Sequence, residues 1–144
     1  MATSSPSSTA DWTSSLEKYE KGFEGIFVGD PQTTKSDLEN LFTPTFTSTV
    51  DGKTLDFTEF VQHIQHLRTI TTTVKVKVTQ FLRDGNQLAE RHLVTVDFSN
   101  KPQSAYEVFL FSTVHESGRI DSIVETLRHT HGLEEDRGLG SARA

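Results

Sequence analysis

Apolar residues return every three or four positions in the first part of the chain, a spacing that predicts helices. The apolar face of the first helix would carry Trp12, Leu16, Tyr19, Phe23, Ile26 and Phe27. Gly29 and Pro31 follow this segment and should end the helix. A short second helix can begin at Thr34, because a threonine side chain can cap the free amides of a helix start.

A β-hairpin and a third helix are predicted next. Asp51-Gly52 stands between Thr- and Val-rich segments, and this dipeptide is typical of a tight hairpin turn. Asp56 and Glu59 then have the spacing of a capping box, in which each side chain binds the other residue's backbone amide. The buried face of the third helix would carry Phe57, Phe60, Val61, Ile64 and Leu67.

From Thr71 onward the apolar period changes to two, as in half-buried strands. Four long alternating segments separated by short polar turns predict an antiparallel meander. Because the helices have to bury their apolar faces, we expect an α+β fold with three N-terminal helices packed on one face of a strongly curved antiparallel sheet. An apolar cavity would lie between the two layers.

The composition narrows the classes of function. The chain has a net charge of −6 and its lysines and arginines form no block, so nucleic acid and anionic membranes are poor partners. The sequence contains no cysteine, which excludes disulfides, thiolate metal sites and cysteine nucleophiles. Residues 1–10 are rich in Ser, Thr and Pro, as in disordered lead-in segments. We expect a soluble, cytoplasmic protein.

The second long strand offers the first candidate for chemistry. Strand alternation places His92 on the more apolar of the two faces. That face would carry Leu88, Glu90, His92, Val94, Val96 and Phe98. Neutral imidazole in such surroundings is a suitable general base. The alternative is a core histidine whose ring is satisfied by a single neighbour.

The third long strand is apolar on both faces, so either Glu107 or Tyr106 has to face a largely buried region. A buried carboxylate needs a partner, and Arg91, Arg68 or His92 could supply one. Glu107 could therefore act as an acid, orient His92, or form half of a structural ion pair. Tyr106 could donate a hydrogen bond to a substrate carbonyl, or pack in the core with its hydroxyl at the rim.

The last strand adds a second carboxylate that is predicted to point inward. Glu125 shares its face with Ile123 and Leu127. Arg128 lies close to it in sequence. An ion pair between Arg128 and Glu125 at the mouth of the cavity is the structural alternative to a chemical role.

Two histidines and an arginine cluster near the end of the third helix. His63 and His66 point in different directions, and a metal site would need further ligands. We therefore expect no metal there, with His66 in solvent and His63 at the edge of the buried face. Arg68 could bind a substrate oxyanion or pair with a carboxylate beneath the helix.

The order of elements resembles the NTF2-like superfamily, in particular its SnoaL-like branch. The segments that carry the resemblance are "DFTEFVQHIQHLR", "LAERHLV" and "GRIDSIVETLR". They belong to a domain that would span residues 11–128, followed by a tail at 129–144. The resemblance implies a cone-shaped fold, the chemistry of small polyketide cyclases, isomerases and dehydratases, and a homodimer formed through the open face of the sheet.

The first hypothesis is a cofactor-independent enzyme that uses general acid–base catalysis on a small apolar carbonyl compound, such as a polyketide or terpenoid intermediate. His92 would be the base, and Glu107 or Glu125 would be the acid or the orienting group. Arg91 or Arg68 would stabilise the developing anion.

The second hypothesis is a non-catalytic ligand-binding or dimerisation module whose pocket is filled by side chains. An open cavity of ~300 Å³ or more, with His and Glu converging on it, would favour a ligand site. The residues expected to bind the substrate of the enzyme in the first hypothesis are Arg68, His63, Tyr106 and Arg128.

Overall fold

The computed structural model describes residues 12–143, which form three α-helices and six strands. The helices are α1 (Leu16–Ile26), α2 (Thr34–Glu39) and α3 (Phe57–Ile70). The strands are β1 (Phe42–Val50), β2 (Lys53–Asp56), β3 (Thr71–Asp84), β4 (Gln87–Phe98), β5 (Ser104–Val114) and β6 (Ile120–His131). Short 3-10 helices lie at Pro31–Thr33 and Glu134–Ser141. The lead-in segment expected at 1–10 lies outside the described residues.

The six strands form one open, curved sheet in the order β2-β1-β6-β5-β4-β3. The four long strands form the predicted antiparallel meander. One pairing differs from the expected antiparallel sheet, because β1 runs parallel to β6. The helices pack on one face of the sheet, so the predicted α+β architecture is confirmed. Within residues 12–143, no helix has both the length and the apolar composition that a membrane span requires.

The local signals in the sequence explain where the elements begin and turn. The capping box at α3 is confirmed, since the Asp56 side chain accepts from the Glu59 amide and the Glu59 carboxylate accepts from the Asp56 amide. The hairpin between β1 and β2 is also confirmed. Its turn places both Asp51 (φ 48°) and Gly52 (φ 87°) in the left-handed region, which Asp and Gly tolerate best.

Carboxylates from the first helix complete the hydrogen bonding of strand β3, which lies at the edge of the sheet. Glu24 accepts from the Val76 amide at 2.8 Å, and Glu20 accepts from the Val78 amide at 2.8 Å. An edge strand has unpaired backbone groups, so these contacts both protect the edge and fix α1 along it.

Aromatic side chains fill the space between the helices and the sheet. Phe42 and Phe46 of β1 lie 4.6 Å apart between ring centres, and Phe46 lies 4.7 Å from Phe60 of α3. On the other side, Tyr19 of α1 contacts Phe23 at 5.6 Å. Such tilted pairs stabilise the core beyond the burial of their area.

The segment after β6 folds back over the open end of the layers. Asp136 is the anchor: its carboxylate accepts from Lys101 at 2.6 Å and Ser104 at 3.1 Å, and its carbonyl accepts from the Tyr106 hydroxyl at 2.6 Å. Residues 129–131, which the sequence analysis assigned to the tail, are the last residues of β6. Gly132 makes the reversal with φ 117°.

Replacement of Gly132 should therefore destabilise the return of this segment. A β-carbon there would overlap with the Ser104 hydroxyl and lie 2.9 Å from the Gln103 carbonyl oxygen, on a backbone that L-residues rarely adopt. We expect Gly132→Ala to lower the free energy of unfolding by about 1–3 kcal/mol in urea titrations. Gly138→Ala is the matched control, since its β-carbon would meet no atom within 4 Å. Equal stability of the two variants would contradict this account.

Candidate active site

An apolar cavity lies between the helices and the concave face of the sheet. Its volume is about 80 Å³, below the ~300 Å³ that the sequence analysis set as typical of an open ligand site. Two histidines and one glutamate nevertheless converge on it. The wall is formed mainly by Phe23, Ile26, Phe27, Phe42, Phe60, Leu67, Val74, Val94, Val96, Val108, Ile123, Leu127, Leu139 and Gly140, with polar contributions from Ser48, His63, Thr71, His92, Tyr106 and Glu125.

A buried chain of hydrogen bonds runs from the first helix to the cavity. The Tyr19 hydroxyl donates to Glu90 Oε2 at 2.6 Å. The other partner of this carboxylate is His92 Nδ1, which lies 2.8 Å from the same oxygen. All three side chains are buried. Burial and the neighbouring Glu90 charge raise the pKa of Tyr19 well above its usual value of 10, so the tyrosine stays a proton donor in this chain.

This chain determines which nitrogen of His92 is available for chemistry. A carboxylate can only accept, so the nitrogen that faces Glu90 carries the hydrogen. The second nitrogen, Nε2, is left to meet a molecule in the cavity. The ring is held further by Phe23, whose centre lies 5.0 Å away. A histidine with a carboxylate behind it is positioned in the manner of a general base.

Glu125 supplies a neutral acid on the same concave face. Glu125 and Glu90 lie in one row across the sheet, since each pairs with Leu110 of the strand between them. Burial, followed by the charges of Glu90 and Asp51, raises the pKa of Glu125 to about 8. Within residues 12–143 its carboxyl group forms no hydrogen bond or ion pair, so it is predominantly protonated at pH 7.

His63 lines the cavity but is already engaged by the C-terminal segment. Its Nδ1 lies 2.6 Å from the Ala142 carbonyl oxygen, which can only accept, so Nδ1 is the donor. Burial lowers the pKa of His63 to about 4, although the Ala142 carbonyl acts in the opposite direction. The ring is therefore neutral at pH 7. It is buried, rather than at the edge of the helix face as the sequence analysis expected.

The ring of Tyr106 forms part of the cavity wall, whereas its hydroxyl binds the C-terminal segment. The hydroxyl donates to the Asp136 carbonyl, which corresponds to the packed tyrosine among the two alternatives. Burial is the main cause that raises the pKa of Tyr106 to about 12. Its ring also stacks on His129 at 4.9 Å.

Three predicted site residues lie on the opposite, convex face of the sheet. Glu107 pairs there with Arg91, at 2.9 Å from its Nε, and with Arg128, at 3.0 Å from its Nη2. The prediction that Glu107 orients His92 is therefore corrected, because Glu90 occupies that role. Arg91 cannot stabilise an anion in the cavity, and Arg128 does not pair with Glu125. Both faces of β5 are apolar, so alternation could not decide which one faced the core.

Arg68 is buried at the end of α3 and belongs to the scaffold. It donates to the Ile26 carbonyl at 2.9 Å, to the Asp30 carbonyl at 3.0 Å and to the Asp37 carboxylate at 2.8 Å. These bonds tie α3 to the loop after α1 and to α2. Of the two alternatives in the sequence analysis, the structural pairing with a carboxylate is the one observed.

The sequence analysis missed Glu90 and Tyr19 as members of the site. A signal for Glu90 was present, since alternation put it on the same face as His92, two residues away. Tyr19 was assigned to the apolar face of the first helix, and nothing in the sequence shows that its hydroxyl meets a carboxylate of β4. No three histidine, aspartate or glutamate side chains within residues 12–143 are arranged to hold a metal ion.

Comparison with known proteins identifies the class. No family model matches the sequence. The uncharacterized protein C11D3.04c of Schizosaccharomyces pombe is 31% identical over 114 residues, which cover 79% of this chain and 87% of that protein. An NTF2-like protein of unknown function from Exiguobacterium superposes with a TM-score of 0.63 at 15% identity, covering 80% of this chain and 98% of the other.

Two further structures share the fold at low identity. An LEH-like epoxide hydrolase of M. tuberculosis has a TM-score of 0.61 at 10% identity, with 84% of each chain covered. A putative isomerase of the SnoaL-like family from Agrobacterium tumefaciens has a TM-score of 0.55 at 10% identity, covering 75% of this chain and 92% of that one. The chain has the NTF2-like fold, and it belongs to the family of the fission yeast protein.

The protonated carboxyl in the cavity should give the protein an unusual pH dependence. The folded state keeps a proton on Glu125 up to about pH 8, whereas the unfolded chain releases it near 4.5. Stability should therefore fall as pH rises through this range, by roughly 1.4 kcal/mol per unit. His63 acts in the opposite sense between about 4 and 6.5, so the Glu125 effect should stand out between pH 6.5 and 8.

Urea denaturation at pH 6.5 and pH 8 measures this effect. We expect the native protein to lose stability across the interval, and Glu125→Gln to remove that loss. Glu107→Gln is the control, because its ion pairs on the convex face keep the pKa of Glu107 below its usual range and it does not titrate there. The same slope in Glu125→Gln as in the native protein would show that the carboxyl is ionised throughout.

Proposed function

We propose that the chain is a cofactor-independent enzyme of the SnoaL-like type, an isomerase, cyclase or dehydratase acting on a small apolar carbonyl compound. The observation that carries this proposal is the buried chain Tyr19–Glu90–His92, which ends at an apolar cavity that also contains a protonated carboxyl group. The substrate class follows from the cavity, whose wall is mainly aliphatic and aromatic.

The first step is removal of a proton from the carbon next to the substrate carbonyl. His92 Nε2 takes this proton, the C–H bond breaks, and its electron pair moves to the carbonyl oxygen to form an enolate. The ring becomes an imidazolium, which the carboxylate of Glu90 stabilises through Nδ1–H. Tyr19 holds that carboxylate in place with its own hydrogen bond.

The second step is stabilisation of the oxygen that gains the charge. Glu125 carries a proton at neutral pH and can donate it, or a hydrogen bond, to the enolate oxygen. Return of the proton from His92 to a different carbon gives an isomer. Attack of the enolate carbon on a second carbonyl forms the C–C bond of a ring and converts that carbonyl oxygen to an alkoxide, which takes the proton back from His92. Loss of hydroxide from the carbon adjacent to the enolate carbon, with a proton from the acid to give water, yields a dehydrated product.

The cavity limits the size of the substrate. At roughly 10–15 Å³ for each water-sized group, a volume of about 80 Å³ accommodates about five to eight heavy atoms. A larger natural-product intermediate would need the C-terminal segment to move, since Leu139 and Gly140 form part of the wall. The alternative function, a non-catalytic binding module, is favoured by this small volume and differs in having no proton transfer at His92.

A small β,γ-unsaturated ketone provides a test that does not require the natural substrate. We expect the protein to isomerise 3-cyclohexenone to the conjugated enone, measured by ultraviolet absorbance, with deuterium uptake in D2O measured by NMR. His92→Gln should lower the rate by 10²–10⁴-fold per folded molecule, the range typical of a general base.

His115→Gln is the matched control, because His115 is an exposed histidine in the turn between β5 and β6. It should retain the native rate. The amount of folded protein is measured by circular dichroism for each variant, so a loss of folding is separated from a loss of chemistry. An unchanged rate per folded molecule in His92→Gln would refute the assignment and leave the non-catalytic module.

We further propose that the protein forms a homodimer through the convex face of the sheet. A row of side chains crosses four strands there, from Val124 through Phe111 and Ala89 to Leu82. Phe111 is 67% exposed and Leu82 is 70% exposed. Apolar side chains that lie together in this way are typical of protein interfaces. The neighbouring Arg91 packs on the Phe109 ring at 5.8 Å and would form a polar border.

Sedimentation at several concentrations tests the dimer. Phe111→Lys should weaken association by at least 30-fold, the effect of losing a central interface residue. Val28→Lys is the control, since Val28 is an exposed apolar residue just after α1 and belongs to none of the strands. A native protein that sediments as a monomer at 100 μM would exclude this dimer.

A further inference from the structure

We propose that the cavity also binds a small monovalent organic cation, such as an alkylammonium or quaternary ammonium group, against the carboxylate of Glu125. This inference goes beyond the acid–base reaction and does not depend on the role of His92. It assigns a class of ligand to a carboxyl group that the fold leaves without a partner.

Glu125 lacks a counter-charge in the cavity. Three other carboxyl groups among the described residues have partners: Glu90 has Tyr19 and His92, Glu107 has two arginines, and Asp136 has Lys101. Glu125 has no such partner within residues 12–143, and no lysine or arginine of that range lines the cavity. A bound cation would supply the charge that the protein does not, and this gain would offset the cost of ionising a buried carboxyl.

The aromatic wall of the cavity also suits a cation. Phe23, Phe27, Phe42 and Phe60 all line the cavity. The face of each ring has a negative electrostatic potential, which attracts cations, and quaternary ammonium groups are typical ligands of aromatic cages. A neutral apolar molecule would bind the same rings through burial alone. The affinity for a cation should therefore depend on the Glu125 carboxylate, whereas the affinity for a neutral apolar molecule should not.

The size of the cavity matches a small organic cation. A volume of about 80 Å³ accommodates about five to eight heavy atoms at roughly 10–15 Å³ each. Tetramethylammonium has five heavy atoms and no hydrogen-bond donor that would require a partner. A head group of this size fits without movement of Leu139 or Gly140, which close the cavity from the C-terminal segment.

Binding of a cation should release a proton, since Glu125 is protonated in the empty cavity at pH 7. The groups that face this carboxyl or the cavity are Tyr19 on α1, His63 on α3, Glu90 and His92 on β4, Tyr106 on β5 and Asp51 in the hairpin turn. His63 and Tyr106, with pKa values of about 4 and 12, both stay uncharged between pH 6 and 9. His92 and the other groups are present both in the native protein and in a Glu125 variant. The difference in the pH dependence of binding between these two proteins therefore reports on Glu125 alone.

Calorimetric titration of the full chain with tetramethylammonium chloride tests the proposal. The experiment is performed at pH 7 in two buffers of different ionisation enthalpy, with sodium chloride as the reference for ionic strength. We expect saturable binding, release of close to one proton, and an affinity that rises about tenfold from pH 6 to 7 and levels off above pH 8. Tert-butanol, a neutral molecule of similar shape, should bind at least tenfold more weakly.

Glu125→Gln should lose at least tenfold in affinity for tetramethylammonium and should release no proton, whereas Glu107→Gln on the convex face should bind like the native protein. If Glu125→Gln does not fold, the proton release and the tert-butanol comparison in the native protein still decide. Equal binding of the neutral molecule, no proton release, or no binding up to 50 mM would overturn the proposal. Failure here would leave the ketone isomerisation by His92 unaffected, so the two proposals fail separately.

Discussion

The carboxylate of Glu90 is the contact on which the two layers of this protein depend. A charged group inside an apolar core is tolerated only when hydrogen bonds replace its lost hydration. Here one donor comes from Tyr19 on the first helix and the other from His92 on the same strand. The helix cannot slide along the sheet without breaking the first bond, and the imidazole cannot rotate without breaking the second. The same requirement thus positions both the helix and the candidate base.

Ionisable side chains lie on both faces of the sheet, but they are neutralised in different ways on the two faces. On the convex face, Arg91, Glu107 and Arg128 neutralise one another close to solvent, where such pairs contribute little to stability. On the concave face, Glu90 and Glu125 lie in one row across the sheet without a lysine or arginine among the described cavity residues. Glu90 is held by hydrogen bonds from Tyr19 and His92, whereas Glu125 keeps its proton at neutral pH. The row therefore provides both an orienting group for the imidazole and a neutral acid.

Much of the fold could be predicted because its signals are local. The capping box of Asp56 and Glu59, the Asp51-Gly52 turn and the alternation after Thr71 each depend on neighbours in sequence, and each is present in the structure. Alternation also placed His92 on the concave face. The family resemblance supplied the rest of the architecture, which fold comparison confirms.

What could not be predicted depends on contacts between distant segments. The parallel pairing of β1 with β6 joins residues far apart in the chain, and no short pattern encodes it. The face on which Glu107 lies was ambiguous, because both sides of β5 are apolar. The 3-10 helix at Glu134–Ser141 has no apolar period, so the sequence analysis assigned it to a tail although it forms part of the cavity wall.

The C-terminal segment is attached to the domain by fewer hydrogen bonds than the strands and α-helices that form the rest of the cavity wall. Strands and α-helices form the remaining sides through continuous backbone ladders, whereas this segment is attached by a few side-chain bonds, chiefly at Asp136 and between His63 and Ala142. Elements with few such bonds open locally at a lower free energy than the whole domain. The side of the cavity formed by Leu139 and Gly140 should therefore open at a lower free energy than the sides formed by strands and α-helices.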